Sequence, residues 1–382
     1  WILEDLQWGD QPTVRLIDLA LRQLSEKPFF VVALARPNLH DVFPRLWEGR
    51  DVQEVRLSTL PRKASERIAR AVLGASAASD LVQSLVERAA GSPFYLEELL
   101  RAAQAGELHE VPETVLALVQ SRIERLLPDV RRVLRAGCVF GMVFWRGGIV
   151  RLLGDGFSAS QLKHYLDLLV HAELVQPRPT SHIAGDQEYA FASTLIREAA
   201  HALLTEHDRA LGHRLAAEFL EAAGEPDAAA LAEHWKRSDQ PQRAIACYVR
   251  ATWLALEGND LDAVIRHAER AIACGASGEA LGEVWAAQAE AYMWRGDPER
   301  SITCGNESLL LLAPRSTRWF QVIGVLAIAA GRHANGYELQ RLCDLLRELG
   351  ESGESSDAYI IAATRTTMQA YVAGDYPRAI AL

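Results

Sequence analysis

Nothing in this sequence narrows the range of possible folds as sharply as a repeat in residues 223–382. Four stretches align on a glycine: GNDLDAV from Gly258, GDPERSI from Gly296, GYELQRL from Gly336 and GDYPRAI from Gly374. The glycines stand 38, 40 and 38 residues apart, and DQPQRAI from Asp239 reads as a degenerate earlier copy. A period of this length belongs to paired helices. One pair alone cannot bury its apolar face, so pairs stack into a solenoid. Glycine is expected at the tight turn inside each pair. Trp235, Trp253, Trp285, Trp294 and Trp319 fall at helical spacing and are expected in the core. The last copy stops one turn into its second helix, and a truncation is expected there.

Around Gly296, Trp285 and Tyr292 precede the turn and Pro314 follows it. These spacings resemble the tetratricopeptide pattern, which implies aromatics filling the space between paired helices. The period exceeds the usual ~34 residues, which implies longer loops between pairs.

The opposite end of the chain alternates strand and helix. Trp1-Ile2-Leu3 is apolar and runs into Glu4-Asp5. Residues 12–25 put Val14, Ile17, Leu21 and Leu24 on one helical face, with Pro12 suited to a first turn. Phe29–Ala35 is continuously apolar, as in a strand covered on both faces. A short helix near 39–48 and a strand at Val52–Leu57 follow. Such alternation predicts a parallel sheet.

From Pro61 the period is helical. Helices are expected at 61–74, 79–89, 93–105, 112–126, 128–140, 146–153 and 158–171. Two short strands, Glu173–Gln176 and Glu188–Ala192, flank a Pro/Gly/Ser loop. Helices followed by a small hairpin look like a winged helix. After Thr194 the chain reads as helix to its end.

Composition excludes several function classes. Net charge is 40 − 50 = −10, which argues against a chain built as a basic nucleic-acid binder. No apolar run reaches the ~18 residues a membrane span needs. Five cysteines lie far apart with no CxxC, so neither a disulfide framework nor a zinc site is expected and a reducing cytoplasm is the default. His164, His171, His201, His207 and His213 are scattered on helices and are expected at the surface or satisfied in the core. The chain opens at Trp1, inside what reads as a buried strand, and is expected to be a fragment of a longer protein.

The segment Ile2–Asp10, ILEDLQWGD, carries the chemistry. An apolar strand ending in paired carboxylates suits a Walker B site, with one carboxylate near Mg²⁺ and its neighbour orienting a water. A solvated strand end reads equally well from these residues alone. Their context is more specific, because an ordered series of segments resembles the STAND class of AAA+-related ATPases. ILEDLQWGD resembles the extended Walker B of that class, and FFVVALARP at 29–37 its next strand. GSPFYLEELL at 91–100 resembles its G-x-P motif. VPETVLALVQSRIERL at 111–126 and RRVLRAGCVFG at 131–141 resemble the helices entering its winged helix, and EYAFASTLIREAAHALL at 188–204 a further segment. Glu4 stands where many relatives have Asp, and Ser193 where they usually place His.

The resemblance implies a mainly α chain in four parts. Residues 1–60 are the C-terminal half of a P-loop α/β domain, 61–126 a helical lid, 127–222 a winged-helix-like domain and 223–382 tetratricopeptide-like repeats. Glu4 and Asp5 are implied as catalytic, Glu4 on the metal side, with Arg36 as a sensor and Gly91 and Pro93 near the adenine. Ile2–Asp5, Phe29–Ala35 and Val52–Leu57 become strands 3, 4 and 5 of a 5-1-4-3-2 sheet. The first two should then pair in parallel, with Glu4 and Asp5 beside Arg36. A P-loop, G-x-x-x-x-G-K-[ST], is missing: none of Lys27, Lys63, Lys163 or Lys236 is followed by Ser or Thr.

The implied parent is a bacterial, cytoplasmic signalling switch. ATP/ADP and Mg²⁺ are its cofactors, and the fragment alone is expected to be inactive. A protein partner or inducer is expected on the repeats. The fused output domain is expected to be a serine/threonine kinase, with a nucleotide cyclase or transcriptional regulator as the alternative. A protein-interaction scaffold without activity is the remaining reading. Neither a membrane nor nucleic acid is an expected partner.

Overall fold

A computed structural model describes residues 1–74, 77–104 and 114–382, and they are mainly helical. The chain forms two compact units. One comprises Trp1–Val52, Pro226–Lys236 and Gln240–Leu382; the other comprises Gln53–Glu225 and Arg237–Asp239.

In the first unit, β1 (Ile2–Leu3) pairs in parallel with β2 (Val32–Ala33), Ile2 opposite Val32 and Leu3 opposite Ala33. Between them runs α1 (Gln11–Gln23). Asp10 caps it by accepting the Thr13 N–H at 2.7 Å, and Pro12 occupies the first turn, where its missing N–H costs nothing. Val14 and Ile17 of α1 bury against Leu6, Phe43 and Trp47, with Leu3, Val31 and Ala33 half-buried beside them.

Phe29–Ala35 is not a strand covered on both faces. Only Val32–Ala33 joins the ladder, and the twofold alternation of extended chain sends Phe30, Val32 and Leu34 outward, Phe30 at 76% exposure. Val52–Leu57 forms no strand: no neighbour offers it a ladder, and Val55 and Leu57 are exposed. The helix near 39–48 is the single turn α2 (Leu39–Val42). Arg50 closes the segment onto α1 with two bonds to Asp18, at 2.9 and 3.0 Å. That guanidinium holds the Asp18 carboxyl below its ordinary range.

Among its described residues the second unit has an apolar core at each of two places. The first lies among α3 (Arg62–Leu73), α4 (Ser79–Ala89) and α5 (Pro93–Gln104), around Val82, Leu85, Leu96 and Leu99. The second includes α7 (Pro128–Phe140), α9 (Ala159–His171) and α10 (Thr194–Ala202), around Leu134, Leu166 and Ile196. Between these cores, α6 (Val115–Glu124) serves both: Leu118 belongs to the first, Val119 and Ile123 to the second. The expected helices at 93–105 and 112–126 extend over residues 105, 112 and 113, which lie outside the described residues.

A small antiparallel sheet completes the second core. The hairpin expected from sequence is present as β4 (Val175–Pro177) and β5 (Glu188–Phe191), numbered after a strand that sequence reading missed, β3 (Val143–Trp145). The order is β3-β5-β4, with Phe144 opposite Tyr189 and Val175 opposite Phe191. After β3 comes α8 (Arg146–Leu153). The β4–β5 loop returns to it, where Asp186 accepts the Gly147 N–H at 2.9 Å. A Cβ on Gly147 would stand 2.5 Å from that carboxylate, so a side chain there would have to displace Asp186. Ser193 accepts the Ile196 N–H at 3.2 Å and so caps α10, a role open to serine. The unit also contains α11 (Glu206–Ala223).

The first unit resumes with α12 (Ala228–Arg237) and four helix pairs. These are α13 (Ala244–Glu257) with α14 (Leu261–Ala273), α15 (Gly278–Arg295) with α16 (Pro298–Leu311), α17 (Thr317–Arg332) with α18 (Gly336–Glu351), and α19 (Asp357–Val372) with α20 (Tyr376–Ala381). All four internal turns are built alike. A left-handed residue is followed by Asp or Asn: Asn259-Asp260, Gly296-Asp297, Ala334-Asn335 and Gly374-Asp375. Each Asp or Asn donates its backbone N–H to the carbonyl five residues back, at 2.9 Å in all four turns. Each also caps the next helix with its side chain. This is the helix-ending motif in which a left-handed residue satisfies otherwise orphaned carbonyls.

The repeat register is therefore corrected. Gly258 and Gly336 are not the left-handed residues of their turns: Gly258 ends α13 with right-handed dihedrals, and Gly336 begins α18. The tryptophans also divide. Trp235 and Trp319 are buried and Trp253 and Trp285 half-buried, but Trp294 is 56% exposed, with the Arg332 guanidinium 5.8 Å from its ring. Helices approach closely where small residues allow it. A Cβ on Gly305 of α16 would lie 2.6 Å from Leu326 of α17.

Candidate functional site

The parallel ladder sets the geometry of the acidic corner. Leu34 N–H bonds Leu3 carbonyl at 2.7 Å, and Leu6 N–H bonds Leu34 carbonyl at 3.1 Å. Parallel strands leave their carboxyl ends on one side. Glu4 and Asp5 follow one strand and Arg36 follows the other, and all three side chains are exposed.

Asp5 turns the chain there. Its backbone is left-handed (φ 52°, ψ 41°) and starts the single 3₁₀ turn Leu6–Trp8. Aspartate tolerates this region better than most residues because its short polar side chain bonds locally. The bond is to Gln7, whose Nε2 donates to Asp5 Oδ1 at 2.9 Å. The other end of the Gln7 amide faces the opposite strand, where its Oε1 accepts the Arg36 backbone N–H at 3.0 Å. Gln7 is buried (4% exposed), unlike the charged residues it joins.

Sequence reading did not single out Gln7. A lone glutamine in a one-turn helix has no period to stand out from. The only available signal was a polar residue between Leu6 and Trp8 in a segment already marked by its carboxylates.

Gly91 and Pro93 lie in the second unit. Gly91 carbonyl accepts the Leu60 N–H at 2.8 Å, and Gly91 is left-handed at φ +79°. A Cβ there would meet Thr59 Cβ at 2.9 Å and Leu60 O at 3.0 Å. Pro93 opens α5, where a proline is preorganised for the first turn. These geometries account for both residues by local structure.

Five residues farther on, α5 carries Glu98, a buried carboxylate bonded by Arg122 Nη1 of α6 at 2.7 Å. Arg122 Nη2 also donates to Ala172 carbonyl, at the end of α9. Arg101 of α5 pairs with Glu173 at the same corner. Burial works against the Arg101 charge, but Glu97 and Glu173 outweigh it and raise its pKa.

Hard oxygen donors in a carboxylate pair suit Mg²⁺, which takes one or two protein carboxylates beside phosphate oxygens. Among the described residues no group of three or more His, Cys, Asp or Glu could hold a metal alone. No lysine of the chain sits in a glycine-rich loop or is followed by Ser or Thr, the pattern that holds phosphates in a P-loop. No helix among the described residues is long and apolar enough to cross a membrane. Comparison of the chain with protein-family models, with curated proteins and with solved structures finds no match.

Proposed function

We propose that this chain is the Walker B-to-repeat part of a STAND-class signalling ATPase, in which nucleotide state regulates a fused output domain. The observation that carries the reading is the parallel pairing of Leu3 with Ala33, which puts Glu4, Asp5 and the Arg36 backbone at one sheet end. Further support comes from the exposed apolar face of that sheet, Ile2, Phe30, Val32 and Leu34. Parallel sheets ordinarily have both faces covered, and the missing cover fits half of a larger α/β domain. The three-stranded sheet with α7–α9 supports a winged helix. The four identical turns support tetratricopeptide-like repeats, with a protein partner or inducer as their ligand.

Under this reading Glu4 is the metal-side carboxylate and Asp5 holds a water by its outward oxygen. Arg36 brings a positive charge to the same edge. A bound Mg²⁺ nucleotide supplies the phosphoryl group and its charge. Gly91 and Pro93 shape the start of α5 by backbone conformation.

The test is the gene product that contains this chain. A glycine-rich loop ending in Lys-Ser or Lys-Thr is expected ahead of Trp1. With it, Mg-ATP should bind, and Asp5→Asn should spare binding while slowing hydrolysis by about 10²–10⁴. The 382-residue chain alone should bind Mg-ATP more weakly than ~1 μM by calorimetry. A gene product without such a loop overturns the ATPase reading and leaves a scaffold.

A further inference from the structure

We infer that Gln7 is the positioning residue of the acidic corner: one buried amide selects the Asp5 oxygen that faces outward and ties it to the strand end at Arg36. The purpose of this link rests on the reading above; the link itself does not.

The argument starts from burial. A buried primary amide without partners is costly, so a buried glutamine is kept where its hydrogen bonds are made. Gln7 makes one bond at each end of its amide, and the two bonds reach different strands' ends. Donation from Nε2 commits Asp5 Oδ1. Oδ2 has no protein partner among the described residues, so the carboxylate presents a single free oxygen in a fixed direction. An exposed aspartate would otherwise sample several rotamers.

Acceptance by Oε1 carries a second consequence. The amide is planar and rigid, so a displacement of the Arg36 backbone moves Oε1 and Nε2 together. Asp5 must then turn or break its bond. A charge contact at the end of β2 is thereby coupled to the orientation of a carboxylate at the end of β1. The connection is a chain of two hydrogen bonds through one side chain, not a route through the apolar core. Asp5's left-handed backbone suits this arrangement, since it starts the turn that places Gln7 two residues later.

Two substitutions separate the amide's ends. Gln7→Glu keeps an acceptor for the Arg36 N–H but replaces the donor to Asp5 with a second negative charge. Gln7→Leu removes both. The measurement is residue-resolved amide hydrogen exchange by NMR on the 382-residue chain, with Leu34 N–H as internal reference because it bonds Leu3 carbonyl directly. In Gln7→Leu, Arg36 exchange should accelerate about fivefold relative to Leu34. In Gln7→Glu the acceptor for Arg36 survives but its tether to Asp5 is lost, so Arg36 exchange should rise by less than in Gln7→Leu and about as much as in Asp5→Ala. In Asp5→Ala, the Gln7 side-chain amide protons should move upfield, and Arg36 exchange should rise although Asp5 does not bond Arg36.

Equal acceleration of Arg36 and Leu34 in Gln7→Leu would mean general loosening of the sheet and would overturn the proposal. So would Gln7 amide resonances that ignore Asp5→Ala. No nucleotide enters these measurements. A null result here leaves the ATPase reading standing, and the absence of a P-loop in the gene product leaves this link standing.

Discussion

Arg122 bonds the buried carboxylate of Glu98 at 2.7 Å and, with its other terminal nitrogen, the carbonyl of Ala172. One side chain thus joins α5, α6 and the end of α9. The pair is unequally exposed, 5% for Glu98 and 23% for Arg122. Removing Arg122 leaves a buried carboxylate without its main partner, the costly way to break such a pair. Arg122→Met should destabilise the unit by about 2 kcal/mol or more. Arg122→Met with Glu98→Leu should cost less than the sum of the single changes. Urea unfolding followed by the fluorescence of Trp145, in a chain whose other tryptophans are replaced by phenylalanine, measures both, and strict additivity would show that the two charges do not act as a pair.

Gly91 tests whether its motif has a structural demand of its own. Left-handed backbone and a 2.9 Å approach to Thr59 both oppose a side chain. Gly91→Ala should therefore lower stability by about 2 kcal/mol without any nucleotide present. A melting temperature equal to that of the parent chain would mean that the Thr59–Leu60 segment moves aside freely.

The four repeat turns predict opposite signs at equivalent positions. Gly296→Val forces a β-branched residue into φ +80° and should cost about 1–2 kcal/mol. Ala334→Gly relieves the same strain at φ +52° and should stabilise by about 0.5 kcal/mol. Thermal melts of the two variants should move in opposite directions. Shifts of the same sign would break the equivalence of the turns.

Glu188 gives a pH dependence with a defined sign. It is fully buried on β5, 3.2 Å from Trp145 Nε1 and 3.0 Å from the His182 N–H, with Arg178 Nε 3.3 Å from its other oxygen. Burial raises its pKa, but the bonds from His182 and the charge of Arg178 outweigh burial, and the net shift is below the ordinary 4.5. A depressed carboxyl stabilises the fold fully above its unfolded value and loses that contribution as pH falls through its folded value. Wild type should thus exceed Glu188→Gln in stability above the ordinary carboxyl value of 4.5, and the two should converge as pH falls below it through the folded value of the carboxyl. Denaturant titrations at several pH values read this gap; a gap that widens on acidification refutes the assignment.

Several elements were legible because their signals are local and repeated. The apolar runs ending at Leu3 and Ala33 announce two paired strands, though not buried ones, and Pro93 and Pro128 mark helix starts where helices do start. β3 was not legible: three residues show too little alternation, and Val143–Trp145 becomes a strand only because β5 lies beside it. The repeat register slipped because glycine was read as the turn marker, whereas Asn259 and Ala334 hold the left-handed position in two copies. The constant element is the Asp or Asn cap that follows. At the acidic corner the charged residues were visible in sequence and the amide joining them was not, since its two bonds reach both two and 29 residues along the chain.

The double allegiance of α6 has a bearing on inheritance. Leu118 serves one core while Val119 and Ile123, on the same helix, serve the next. A recombination point on either side of this helix would hand one product a core with a missing wall and the other an apolar helix with nowhere to go. Residues 53–225 should therefore pass between genes as an indivisible block, whatever is joined to either side of it.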